Sequence, residues 1–276
     1  MKNTLIKRFN SLTLKCGEYA LCHLGQHSFI LKLGETVIYI DPYLTPDKAR
    51  LIAPALIPDE INNATIVTGS HDHADHIDRP AWPKIAASSA KAQFIVPEAI
   101  RKSIINDTGI AANCVSGLND GESIEVAGVK ITAIAAAHEL LDYDSTTGLY
   151  PYLGYVFEGN GVTIYHSGDS CIYEGLQTKL EKWSFDLVLL PINGRDAKRL
   201  KNNCIGNMTY QEAADLAGAL QPKLTIPTHY DMFAMNSLDP KLFFDYMKVK
   251  YPQLKCAKPQ IKTILKGKSL CRPVVQ

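Results

Sequence analysis

The sequence predicts an α/β (α+β) sandwich in which two mixed β-sheets pack face to face with helices outside. Three observations lead there. Hairpin-spaced apolar runs come first and strand–helix alternation follows, and this order occurs twice along the 276 residues. The chain is also long enough to bury about 70–75% of its unfolded surface, so it needs no disulfide staple. Its 46% apolar and 21% charged residues are globular values that exclude a disordered chain, a coiled coil or a collagen-like fibre.

The elements follow in order. Ala20–Leu24, Ser28–Leu33 and Thr36–Ile40 are short apolar or alternating runs, the last two joined by Gly34-Glu35 as a hairpin turn. Thr65–Thr68 and Gln93–Val96 are further strands. Residues 97–106 carry Ala99, Ile100, Ile104 and Ile105 at helical spacing, with Gly109 as a stop. In the second half, Glu122–Val126 and Val129–Ala135 flank Ala127-Gly128 as a hairpin. Leu153–Phe157 and Val162–Tyr165 flank residues 158–161 as another. Leu187–Leu190 and Leu224–Ile226 have the composition of buried strands. Between them Thr209-Tyr-Gln-Glu212 is a capping box opening an Ala-rich helix that ends near Gln221-Pro222. Asp239-Pro240 opens a last helix, Lys241–Lys248, with Leu242, Phe243 and Tyr246 expected on its packed side. No repeat or linker marks a boundary, so residues 1–276 read as one domain in two halves, about 1–130 and 131–276.

Charge and cysteine usage set the surroundings. Lys+Arg 29 against Asp+Glu 28 leaves a net charge of +1, so no global basic field draws in nucleic acid or a membrane. No apolar run reaches the ~18 residues of a membrane span. Seven scattered cysteines without a C-x-x-C pair suit a reducing compartment, and the N-terminus has no apolar signal segment. The expectation is a cytoplasmic protein. No heptad or apolar helix identifies a subunit interface, and a homo-oligomer stays open.

Three of the eight histidines fall within six residues, in Ser70-His71-Asp72-His73-Ala74-Asp75-His76, on the loop after the strand Thr65–Thr68. Imidazole nitrogens and carboxylates at this density suit Zn²⁺, Mn²⁺ or Fe²⁺. His71 and His73 can share one ion, while Asp75 and His76 reach a second point nearby. His138, Asp169 and His229 each sit where a later strand gives out into a loop, which makes them the further ligand candidates. Asp41, closing an early strand, reads either as an Asp-Pro turn or as an acceptor for a ligating imidazole N–H. His166 either touches a ligand or faces substrate, and His23 and His27 read as hydrogen-bonded structural residues. Asp72 reads as a loop carboxylate.

The set His71-x-His73-x-Asp75-His76, His138, Asp169 and His229, with Asp41, resembles the metallo-β-lactamase-fold superfamily of binuclear metal hydrolases. Residues 191–194 (Pro-Ile-Asn-Gly), the Asn207-Met208-Thr209 helix start with Ala213-Ala214, and residues 226–230 most resemble its L-ascorbate-6-phosphate lactonase branch. The resemblance implies a four-layer αββα sandwich. It implies one cation on His71, His73 and His138, a second on Asp75, His76 and His229, and Asp169 bridging both. The two would be divalent, Mn²⁺ or Zn²⁺ with Fe²⁺ also compatible, since no cysteine falls at a ligand position. Cations roughly 3.5–4 Å apart would supply a bridging hydroxide as nucleophile, with Asp75 and His76 as the catalytic pair.

The rim chooses the substrate. Asn193 leads a basic segment, Arg195, Lys198, Arg199 and Lys201, that reads as a solvated loop or as an anchor for phosphate or carboxylate. The loop 139–152, with Tyr143 and Tyr150, is a second rim, for packing or for stacking on a sugar. The expectation is a metal-dependent hydrolase opening a small anionic ester or lactone, such as a phosphorylated sugar lactone. The alternatives are a phosphodiesterase or nuclease of the same fold and a non-catalytic metal-stabilised scaffold.

Overall fold

A computed structural model describes residues 4–269, and Cys271 lies outside them. The chain forms α1 (Thr4–Asn10), β1 (Glu18–Gly25), β2 (Ser28–Leu33), β3 (Thr36–Ile40), β4 (Ile66–Thr68), α2 (Trp82–Ser88), β5 (Gln93–Pro97), α3 (Glu98–Thr108), β6 (Val115–Leu118) and β7 (Ser123–Val126). It continues with β8 (Val129–Ala135), β9 (Leu153–Gly159), β10 (Val162–His166), α4 (Leu176–Leu180), β11 (Leu187–Pro191), α5 (Ala197–Lys201), α6 (Tyr210–Leu220), β12 (Thr225–Thr228), α7 (Lys241–Lys250) and β13 (Ile264–Lys268).

The strands build a seven-stranded sheet, β13-β1-β2-β3-β4-β5-β6, and a six-stranded sheet, β12-β11-β10-β9-β8-β7. In each, antiparallel hairpins give way to parallel strands: at β3–β4 in the first and at β10–β11 in the second. The chain changes sheet between Leu118 and Ser123, and β13 then returns to pair with β1. Three apolar layers separate four structural ones. The middle layer joins Leu31, Ile38 and Ile66 of the first sheet to Ile131, Phe157 and Leu189 of the second. The outer two pack Ile85 and Ile104 beneath the first sheet and Leu176, Ala213, Leu216 and Phe243 beneath the second. No described helix is long and apolar enough to cross a membrane.

Local chemistry explains the boundaries. The β7–β8 turn takes Ala127 and Gly128 at φ 49° and 76°, the left-handed pair that a two-residue hairpin requires. The β9–β10 turn is likewise two residues, Asn160-Gly161, rather than the four expected, because β9 runs on to Gly159. Thr209 and Glu212 close a reciprocal capping box at α6, and Gln221 ends that helix in the left-handed region. On α7 the expectation for Leu242 fails, since it is exposed while Phe243 and Met247 are buried. An i, i+4 pair sets the packed stripe, and Leu242 lies about 100° away from Phe243.

Candidate metal centre

Every candidate donor stands on a loop that leaves one rim of the two sheets. Beyond β4, Gly69 donates its amide to the Ile95 carbonyl and accepts from the buried Tyr155 hydroxyl at 3.0 Å. A Cβ at Gly69 would lie 2.4 Å from Ile77, so only glycine lets the loop settle this deeply. The amides of His76 and Ile77 both bond to the His73 carbonyl, which winds residues 71–76 into tight turns with their imidazoles on one side. Gln26, Asp41 and His229 all hold positive φ, 56°, 43° and 58°, so three strained non-glycine residues surround the same point.

The donors fall into two sets. His71 Nε2 and His138 Nε2 lie 2.9 and 3.2 Å from His73 Nδ1. Asp75, His76 and His229 form the second, with the Asp75 Oδ2 3.7 and 3.8 Å from the two imidazole Nε2 atoms. Asp169 Oδ2 sits between the sets, 3.0 Å from His229 Nε2, 3.4 Å from His76 Nε2 and 3.9 Å from His138 Nε2. The first set has the spacing of a divalent-cation site, and the second gathers the same donor types more loosely. Bonds of about 2.0–2.1 Å in tetrahedral array place donors about 3.3 Å apart, close to the separations in the first set. His76 Nε2 is buried without a hydrogen-bond partner, as a nitrogen kept for a cation would be.

Electrostatics separates the sets in the same way. Burial, together with the other imidazoles, pushes His71 well below the usual histidine range and His138 down to about 4. Their lone pairs are therefore free at neutral pH. Burial also opposes charge on His76 and His229, yet Asp169 and Asp75 outweigh it, raising His76 well above its ordinary value and raising His229 as well. Asp169 in turn is held well below the carboxylate range: burial opposes its charge, and His229 and His76 prevail.

Asp41 accepts from the buried imidazole of His76, Nδ1 to Oδ2 2.7 Å, and from the Ser70 amide at 3.0 Å. It does this from the Asp-Pro turn itself, so its two readings describe one residue. His166 is fully buried and is not among the residues lining the cleft. Its Nε2–H donates to the His27 carbonyl at 3.0 Å, and its ring lies 4.0 Å from that of His27, tilted by 35°. His27 Nε2–H then donates to the Gly168 carbonyl at 2.9 Å, bracing the loop that carries Asp169. Asp72 is paired with Arg79 at 2.5 Å.

The cleft over the donors encloses about 480 Å³, and His73, Asp75, His138, Asp169 and His229 form its floor. Asn193 is buried beneath the rim and donates to Asn236 Oδ1 at 2.9 Å, and Asn236 lines the cleft. Arg195 and Tyr143 do not line it. Arg195 spends its fork on Glu212, two bonds of 2.8 Å, because the capping box holds that carboxylate beside it. Tyr143 lies exposed on the outer part of its loop against Tyr150, at 5.0 Å. From the same loop it is Tyr152 that reaches the site, 5.5 and 5.3 Å from the His71 and His138 rings. Gln26 also escaped sequence reading. Its Nε2–H donates to Asp75 Oδ2 at 3.0 Å and lies 3.1 Å from His229 Nε2, but a lone glutamine in a hairpin turn carries no signal.

Residues 36–230 match the family described as beta-lactamase superfamily domain. A UPF0173 metal-dependent hydrolase of Thermococcus onnurineus is 32% identical over 227 residues, 80% of this chain and 88% of the relative. Another, of Sulfurisphaera tokodaii, is 30% identical over 222 residues, again 80% and 88%. Among solved structures, a metallo hydrolase of Ignicoccus hospitalis superposes with a TM-score of 0.72 at 21% identity, covering 91% of this chain and 99% of that one. These names specify metal-dependent hydrolysis and no substrate.

Proposed function

The chain belongs to the metallo-β-lactamase superfamily, among the UPF0173 metal-dependent hydrolases, and on that footing we propose that it holds two divalent cations and hydrolyses a small ester or lactone. The observation that supports this most is the position of Asp169 Oδ2, within 3.9 Å of His138 on one side and 3.0 Å of His229 on the other. His71, His73 and His138 would hold one cation, Asp75, His76 and His229 the other, and Asp169 both. The all-nitrogen and oxygen donor set suits Zn²⁺, Mn²⁺ or Fe²⁺. When bound, such a pair polarises a carbonyl oxygen and lowers the pKa of water towards ~7.

The chain's own residues do the rest. Asp75 is the partly open carboxylate of the floor, with Gln26 fixing its Oδ2, so it can take a proton from water and return it to the departing alkoxide oxygen. His76 is locked through Nδ1 by Asp41, which leaves Nε2 as its donor atom. A phosphorylated sugar lactone would want a cationic side chain in the cleft. None of the described residues lining it is Lys or Arg, so the ester or lactone class is kept without the phosphate.

Metal content settles the first half of the reading: elemental analysis of protein purified without added metal should find two equivalents. Chelation should abolish hydrolysis of 4-nitrophenyl esters or simple lactones, and Mn²⁺ or Zn²⁺ should restore it. Hydrolysis that survives chelation would sink the proposal.

A further inference from the structure

The cleft has two unlike kinds of lining. Besides the polar floor, the lining includes Ala49, Ile205, Phe233, Ala234 and Met235, interspersed with Asn203, Cys204 and Asn236. Ile205 is 36% and Met235 48% exposed, so apolar side chains are left in water directly beside the most polar cluster of the molecule. Exposed apolar surface at the mouth of a concave site marks where a ligand's apolar part is removed from water.

This wall is built rather than loose. Phe233 pairs by backbone with Arg50, and the Leu51 amide donates to the Met232 carbonyl at 2.8 Å. The Phe233 carbonyl accepts from the Asn236 amide at 2.9 Å and from the Ser237 hydroxyl at 2.6 Å. Two arginines of the adjacent segment are already committed. Arg199 donates to Asn236 Oδ1 at 3.2 Å and to the Ser237 carbonyl at 3.0 Å, and Arg195 is bound to Glu212. No Lys or Arg in the lining repays desolvation of a second anionic group on the substrate, whereas several carbons of an alkyl chain can lie along Ile205, Phe233 and Met235.

Resting on the hydrolase reading above, we infer that this wall receives an aliphatic acyl chain, and that the substrates are esters or lactones of medium-chain carboxylic acids. The carbonyl then lies over the donor floor and the chain along the wall. Hydrolysis consumes one water: an ester yields the alkanoate, a proton and the alcohol, and a lactone opens to a single hydroxyalkanoate and a proton.

Binding can be read independently of turnover. Acetate, butyrate, hexanoate and octanoate would be titrated calorimetrically into the Mn²⁺-loaded protein, with glucose 6-phosphate as the polar anion. Kd should fall about two- to fourfold per methylene until the wall is covered. Met235→Gln and Ile205→Gln, both at exposed positions, should flatten that gradient. A Kd independent of chain length, a gradient untouched by both variants, or tighter binding of glucose 6-phosphate than of octanoate would each overturn the inference. A gradient without turnover of any ester would support the apolar wall and count against the hydrolase reading alone.

Discussion

The Asp41 carboxylate and the His76 imidazole meet at 2.7 Å with both side chains sealed from solvent. Asp41 also takes the Ser70 hydroxyl at 2.5 Å and the Ser70 amide at 3.0 Å, so one acid at the end of β3 fixes both the loop after β4 and the ring it carries. Replacing its charge while keeping its size should loosen the ring without emptying the core. Asp41→Asn is expected to weaken metal binding about 10–100-fold, with the far-UV circular dichroism spectrum unchanged. Competition against a chromogenic chelator measures this, and an unaltered affinity would remove Asp41 from any part in holding His76.

Gly168 makes a second such joint. It lies at φ 59°, and a Cβ there would fall 2.4 Å from the Leu153 carbonyl oxygen, a backbone atom that cannot swing away. Gly168→Ala must therefore displace the segment that leads into Asp169. It should cost about 1–3 kcal/mol of stability and lower metal affinity. Gly128→Ala is the control: φ is also positive, 76°, but nothing lies within 4 Å. It should cost about 1–2 kcal/mol and leave metal binding alone. Equal effects of the two variants on metal affinity would show that the 168 loop does not position Asp169.

What the sequence made legible was whatever carries a local rule. The hairpins at Gly34 and Gly128 and the capping box at Thr209 follow from backbone chemistry within a few residues, and β2 and β3 fall where their patterns place them. The seven candidate donors that the fold brings together could be picked out because clustered histidine and aspartate at strand ends stand out. Gln26 and Tyr152 were not, since neither residue type is unusual in a loop and both act only through partners distant in sequence. Arg195 shows the opposite failure. Its charge was visible, but Glu212, seventeen positions away, decides where that charge goes.

Because Arg195 is committed to Glu212, its loss should register in stability and not at the donors. Burial pushes the Glu212 carboxyl up, and Arg195 with the Thr209 amide more than offsets it. The pair is partly exposed, so Arg195→Ala should cost at most about 1 kcal/mol, seen as a small fall in Tm that shrinks further in high salt. Metal content should stay as in the parent protein. A loss of metal, or a large rise in KM for substrates with a charged group, would return Arg195 to the site.

The donor histidines also predict a pH signature for the metal-free protein, and its sign can be worked out group by group. His71, His73 and His138 are lowered, by burial first, so below the ordinary histidine value of about 6.5 the unfolded chain binds protons that the folded one refuses. Stability from these groups rises with pH up to that value. His76 and His229 are raised by Asp169 and Asp75 against burial, so above about 6.5 the folded chain holds protons that the unfolded one releases. Stability from these two is complete below that value and is lost as pH climbs through their folded pKa values. The metal-free Tm should therefore peak near pH 6.5 and decline above it. A bound cation competes with those same two protons, so metal affinity should increase across the range in which metal-free Tm falls. Calorimetric titration of Mn²⁺ at pH 7, in buffers of different ionisation enthalpy, should then report net proton release. A metal-free Tm that keeps rising past pH 7, together with metal binding that releases no proton, would show that His76 and His229 are neutral before the cation arrives.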